Sequence, residues 1–142
     1  MGEWRTLEDV ALADCALEIE GRDLADVLAT AAAALAALMV DPATVTRVVA
    51  REVALEAPRA DRLLFDWLAE LIYWKDRDGV VFPDAEVRVS GAGPFRLEAR
   101  LRGGAIDPPR THLRADPKAP TFHLLEVAPR GDGWQARVVI DI

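Results

Sequence analysis

The chain reads as an α+β domain, a two-layer sandwich with two helices on one face of a mainly antiparallel sheet. Three observations carry that reading. Apolar and polar residues alternate in several runs of strand length, the mark of half-buried strands. Two longer runs repeat instead at helical spacing. The order is strand, helix, strand, helix, then strands alone, so helices do not follow every strand as a doubly wound parallel sheet requires.

The elements follow in order. Ala11–Glu20 alternates, with Ala13, Cys15, Leu17 and Ile19 toward a core and Asp14, Ala16, Glu18 and Glu20 away from it. Gly21 ends this strand. Asp23 suits a helix N-cap, and Asp26 three residues on makes a shortened capping-box analogue. Leu24, Val27, Leu28, Ala31, Leu35, Leu38 and Met39 then keep helical spacing, and the alanines between them favour the helix. Asp41-Pro42 stops it. Val48–Ala57 alternates again. Pro58 fits the first position of a second helix. Its apolar stripe is Leu63, Leu64, Trp67, Leu68, Leu71 and Ile72, and Gly79 suits its C-cap.

Strands make up the remainder. Val80–Phe82 and Val87–Ser90 flank Pro83-Asp84, and Ser90–Pro94 is a turn. Phe95, Leu97, Ala99 and Leu101 alternate with Arg96, Glu98, Arg100 and Arg102. Gly103–Pro117 is irregular, and loops of that length are often functional. Thr121–Val127 and Trp134–Ile142 are two final strands joined through Pro129–Gly133 as a hairpin. Trp4 is expected to fold back onto the domain edge.

A length of 142 residues implies one domain, residues 1–142. Hydrophobic residues make up 51%, enough for a real core. The net charge of −7 argues against a free-standing nucleic-acid binder, which would be basic. The charge is uneven: residues 1–71 carry a net −8, whereas Arg88–Lys118 carries a net +4. One cysteine, Cys15, cannot form an intramolecular disulfide, and the first residues are polar and acidic, so a cytoplasmic location is expected. The longest apolar run, Val27–Val40, has 14 residues against the roughly 20 of a membrane span, so no membrane role is expected.

Catalytic signatures are scarce. The chain has no G-x-S-x-G, P-loop or H-E-x-x-H motif. Ser90 has no partner pattern, and Cys15 falls on an apolar strand face. His112 and His123 are the only histidines, and they read as ordinary hydrogen-bonding residues. Asp14 stands mid-strand, where Asp is disfavoured. Asp141 has the opposite parity to Trp134, Ala136, Val138 and Ile140, and Ile142 follows with a terminal carboxylate. If the first and last of these strands meet, three hard oxygen groups converge, a set suited to Ca²⁺ or Mg²⁺. Lys118 is one of only two lysines beside 15 arginines, as if a compact ammonium were wanted there.

These residues also carry a family resemblance. Ala11-Leu12-Ala13-Asp14-Cys15-Ala16-Leu17, then Gly21 and Leu24-Ala25-Asp26-Val27, stand in the order of the archease opening H-T-A-D-I-G-I, Gly, L-E-E-A. Leu63–Ile72 is similar to L-L-x-x-W-L-x-E-L-L, and Asp76–Phe82 to D-x-x-G-L-V-F. Lys118-Ala119-Pro120-Thr121-Phe122-His123 resembles K-A-x-T-Y-H, and Gly133-Trp134 and Ile140-Asp141-Ile142 resemble the family's G-W and V-D-I. The resemblance spans nearly the whole chain. It departs where Ala11 and Leu12 replace His and Thr, Ala16 replaces Gly, Pro120 an aliphatic residue, and Phe122 Tyr. The first of these changes removes polar groups that would support Asp14.

The resemblance implies a non-enzymatic, cytoplasmic accessory factor of the GTP- and Mn²⁺-dependent RNA ligase of tRNA splicing and RNA repair. Such a factor promotes ligase guanylylation and multiple turnover. It would meet RNA only through the ligase and act as a monomer. A Ca²⁺ site is implied at Asp14, Asp141 and Ile142, with Mg²⁺ or Mn²⁺ as cellular occupants. Lys118, Asp14 and Asp141 would face the ligase. Two other readings of the same residues stay open: a small metal-dependent phosphoester hydrolase, and a general chaperone-like interaction module.

Overall fold

The computed structural model describes residues 2–7, 14–108 and 111–142. Its elements in chain order are β1 (Glu3–Leu7), β2 (Asp14–Gly21), α1 (Leu24–Met39), β3 (Val49–Ala57), α2 (Ala60–Asp78), β4 (Val80–Ser90), β5 (Phe95–Ala105), β6 (Ala119–Pro120), β7 (Glu126–Arg130) and β8 (Gly133–Asp141). A short 3-10 turn, Pro42–Thr44, follows α1.

The α+β reading holds, with the strands divided between two open antiparallel sheets. One runs β1-β2-β8-β6, with β7 beside the first part of β8, and the other runs β3-β5-β4. In β2 the residues Leu17 and Ile19, and in β8 Ala136, Val138 and Ile140, join the core. Leu97, Ala99 and Leu101 of β5 join the same cluster from the second sheet. The helices close it. Helix α1 lies against β2 and β4, and α2 reaches β3 to β7. Trp67 of α2 is fully buried, and its indole N–H donates to the Leu28 carbonyl of α1 at 2.8 Å.

Local signals explain the helix ends. The Asp23 carboxylate accepts from the Asp26 N–H at 2.8 Å, and the Asp26 carboxylate accepts from the Arg22 N–H at 2.9 Å. The reciprocal bond of the capping box thus reaches one residue further back than usual. Gly79 caps α2 at φ 64°, a conformation that suits glycine. No helix among the described residues is long and apolar enough to cross a membrane.

Several expectations need correction. Residues 3–7 form a strand, β1, in full register with β2, so Trp4 lies opposite Ile19 within the sheet. Helix α2 begins at Ala60 with Arg59 as N-cap, so Pro58 precedes the cap and does not occupy the first turn. The two runs around Pro83-Asp84 are one strand, β4, whose register shifts between Val81 and Asp84. Proline has no N–H to give to the ladder, and the irregularity absorbs it. The close approach there also needs glycine: a Cβ on Gly103 would lie 1.8 Å from the Val81 carbonyl oxygen. The run Thr121–Val127 is broken, because residues 122–124 turn out of the sheet with Leu124 at φ 57°. The strand reading of Ala11–Ala13 lies outside the described residues.

Candidate functional site

The site begins with strand parity. Strands β2 and β8 pair antiparallel with Asp14 directly opposite Asp141. Residues opposite one another in such a pair project to the same side, with Cβ atoms about 4.5–5.5 Å apart. The Asp14–Asp141 pair lies on the side away from Leu17, Ile19, Val138 and Ile140. Its neighbouring row is Ala16 and Val139, both buried, and the row beyond is Glu18 and Arg137. Two half-buried carboxylates therefore face each other at the end of the sheet, beside an apolar row. Among the described residues no cation pairs with either of them.

The third member, Lys118, arrives just before β6. Ala119 is the register partner of Asp141 on its other side, and the Lys118 N–H donates to the Asp141 carbonyl at 2.8 Å. Lys118 is exposed, and among the described residues its ammonium has no partner. Ile142 follows Asp141 and is half-buried. Asp14, Lys118 and the consecutive Asp141 and Ile142 thus share one sheet end. The described residues hold no cluster of three or more His, Cys, Asp and Glu side chains. A hard cation here would have two side-chain carboxylates, and the remaining oxygens would come from Ile142 and water.

Among the described residues the other candidates complete no metal-holding cluster with this pair. His112 is exposed, and its backbone N–H donates to the Thr44 hydroxyl at 3.0 Å. His123 is exposed. Cys15 lies opposite Ile140 on the core side, and burial pushes its thiol up from 9.0, away from a reactive thiolate.

Within the net-positive stretch Arg88–Lys118, the arginines Arg88, Arg96 and Arg100 lie close to carboxylates. On the outer face of β3-β5-β4, Arg100 stands between Glu52 and Glu86 in register. Arg96 pairs with Glu56 at 2.9 Å, Arg88 with Glu98 at 3.1 Å, and Arg47 with Asp84 at 3.0 Å. Arg47, Arg88, Arg96 and Arg100 are thus met by carboxylates from other strands, which sequence order alone conceals.

Two features near the site escaped sequence reasoning. Phe122, 59% exposed, stacks on Phe65 of α2 with ring centroids 4.1 Å apart, and Arg62 lies over both rings. Lys75 is buried at the end of α2, with its ammonium on Asp76, Asp116 and the Pro117 carbonyl. A signal for Lys75 existed: it falls three, four and seven residues after Ile72, Leu71 and Leu68, on the apolar stripe.

Comparison with known proteins decides the family. The model of the Archease protein family (MTH1598/TM1083) matches residues 4–142. The chain belongs to the archease family. The archease of Methanosarcina barkeri is 33% identical over 134 residues, 92% of this chain and 90% of its own length. That of Pyrococcus abyssi is 31% identical over the full length of both. The solution structure of Methanobacterium thermoautotrophicum protein 1598 superposes with a TM-score of 0.78 at 28% identity, covering 99% of this chain and 98% of that one. The Thermotoga maritima protein, described as an archease and possible chaperone, shares the fold at a TM-score of 0.59 and 21% identity, over 93% of each chain.

Proposed function

We propose that this archease-family protein is a non-enzymatic accessory factor of the GTP- and Mn²⁺-dependent RNA ligase of tRNA splicing and RNA repair, promoting guanylylation and turnover of that enzyme. The supporting observation is the register pairing of Asp14 with Asp141 beside Lys118. Those are the residues that the family resemblance marks, and they come together from three separate strands and loops.

Two like charges placed directly opposite each other disfavour the bare sheet end. A divalent cation would relieve that. Ca²⁺, with Mg²⁺ or Mn²⁺ as cellular alternatives, fits oxygens from Asp14, Asp141 and Ile142. Lys118, exposed and without an ion-pair partner among the described residues, would contact a phosphate or carboxylate of the partner. A net charge of −7 suits docking on a basic, phosphate-binding enzyme in place of direct RNA binding.

The deciding experiment is a ligation time course with RNA in excess over the GTP-dependent ligase, with and without this protein. Stimulated multiple turnover is expected, and Asp141→Ala should abolish it while the fold survives. Unchanged turnover with the wild-type protein overturns the proposal. Hydrolysis of a phosphoester by the protein alone would replace it with the hydrolase reading.

A further inference from the structure

We propose that Lys75 is a positioning residue that holds the Pro117–Lys118 peptide in place, and so fixes the backbone from which Lys118 departs at the sheet end that carries Asp14 and Asp141. This rests on the ligase-accessory reading.

The geometry is that of a clamp on a single peptide unit. The Lys75 ammonium donates to the Pro117 carbonyl at 2.7 Å. The N–H of the same peptide, on Lys118, donates to the Asp141 carbonyl at 2.8 Å. The peptide bond is planar, so holding its oxygen and its N–H together fixes the plane from which the Lys118 side chain departs.

The chemistry accounts for a lysine here. The Lys75 side chain is only 7% exposed. A buried ammonium must be paired, and it has three protons to place. Three acceptors meet them: Asp76 at 2.9 Å, Asp116, and the Pro117 carbonyl. Two of the three belong to the segment that leads into Lys118. A guanidinium is a flat fork and does not radiate in this way, which distinguishes this position in a chain of 15 arginines. Among the described residues, the other backbone hydrogen bonds of this segment lie at its flanks. Arg114 and Ala115 donate to Met39 and Leu38 at the end of α1, and Ala119–Pro120 pair with β8. Lys75 covers the stretch between them.

The test combines hydrogen exchange with a double-mutant cycle in the ligation assay. In Lys75→Met the Lys118 amide should lose protection by about tenfold or more, as local opening predicts. Half-maximal stimulation should then need several-fold more protein. Adding Lys118→Ala to Lys75→Met should change stimulation little beyond the single variants, because both act through one group. If Lys75→Met fails to fold, Asp116→Asn replaces it, since that side chain is 84% exposed and its loss spares the core. Unchanged Lys118 protection, or fully additive effects on stimulation, overturns the proposal. A wild-type protein that does not stimulate the ligase refutes the accessory reading instead, and the exchange measurement still decides the clamp.

Discussion

Asp14 and Asp141 are direct cross-strand partners on the face of β2 and β8 opposite Leu17, Ile19, Val138 and Ile140, with no cation paired to either among the described residues. Without a bound ion their repulsion works against the sheet end. Asp141→Asn should therefore stabilise the metal-free protein by about 0.2–1 kcal/mol, the scale of a cross-strand pair. In EDTA its Tm should exceed that of the wild type by roughly 1–4 °C. Calcium should raise the wild-type Tm through linkage and leave the variant unmoved. Thermal unfolding with and without CaCl₂ checks both, and a wild-type Tm indifferent to calcium removes the metal site.

The start of α1 depends on two carboxylates. Asp23→Ala removes the acceptor for the Asp26 N–H and should cost about 1 kcal/mol in urea unfolding. Burial raises the Asp26 carboxyl, but hydrogen bonding and nearby positive charge, the Arg22 N–H first among them, outweigh it, so its value lies below 3.8. Its contribution is complete above 3.8 and is lost as pH falls through the lower folded value. Asp26→Asn should therefore be less stable than wild type near neutrality, and the gap should close in strong acid.

Lys75 has the opposite sign. Burial pulls its ammonium down, and the hydrogen bonds and charges of Asp116 and Asp76 more than compensate, so its value is raised above 10.5. The stability it contributes is complete below 10.5 and declines as pH rises through the folded value. Lys75→Met should be less stable at neutral pH. The difference from wild type should shrink only at strongly alkaline pH, as followed by urea midpoints across that range.

Arg100 sits between Glu52 and Glu86 on an open sheet face. Arg100→Ala should change stability by less than about 1 kcal/mol, since exposed pairs are weak. Arg100→Glu would set three carboxylates in one row and should be the more destabilising variant. Added salt should reduce its deficit through screening. Unfolding at low and high salt provides the measurement.

Much of this architecture is legible in the chain. The stripe Leu63–Ile72, the cap at Asp23 and the alternation through Phe95–Arg102 each follow from a period or a local hydrogen bond. The errors have physical reasons. Residues 3–7 carry little apolar signal because β1 is an edge strand with most of its residues exposed. Pro83 looked like a break because a bulge in β4 cannot be read from one strand alone. The turn at Phe122–Leu124 depends on a stack against Phe65, which lies 57 residues earlier.

By itself the sequence determined the fold class, the faces of the main strands, the family resemblance and the identity of Asp14, Lys118 and Asp141 as the residues to follow. Each of these depends on local periodicity or on motifs within a short span. Only the tertiary structure decided that Asp14 and Asp141 share one register position, that Arg96 and Arg100 of β5 meet carboxylates across strands, and that Lys75 grips the peptide before Lys118. Those facts depend on strand pairing and burial between distant segments, where one residue of register decides which side chains meet.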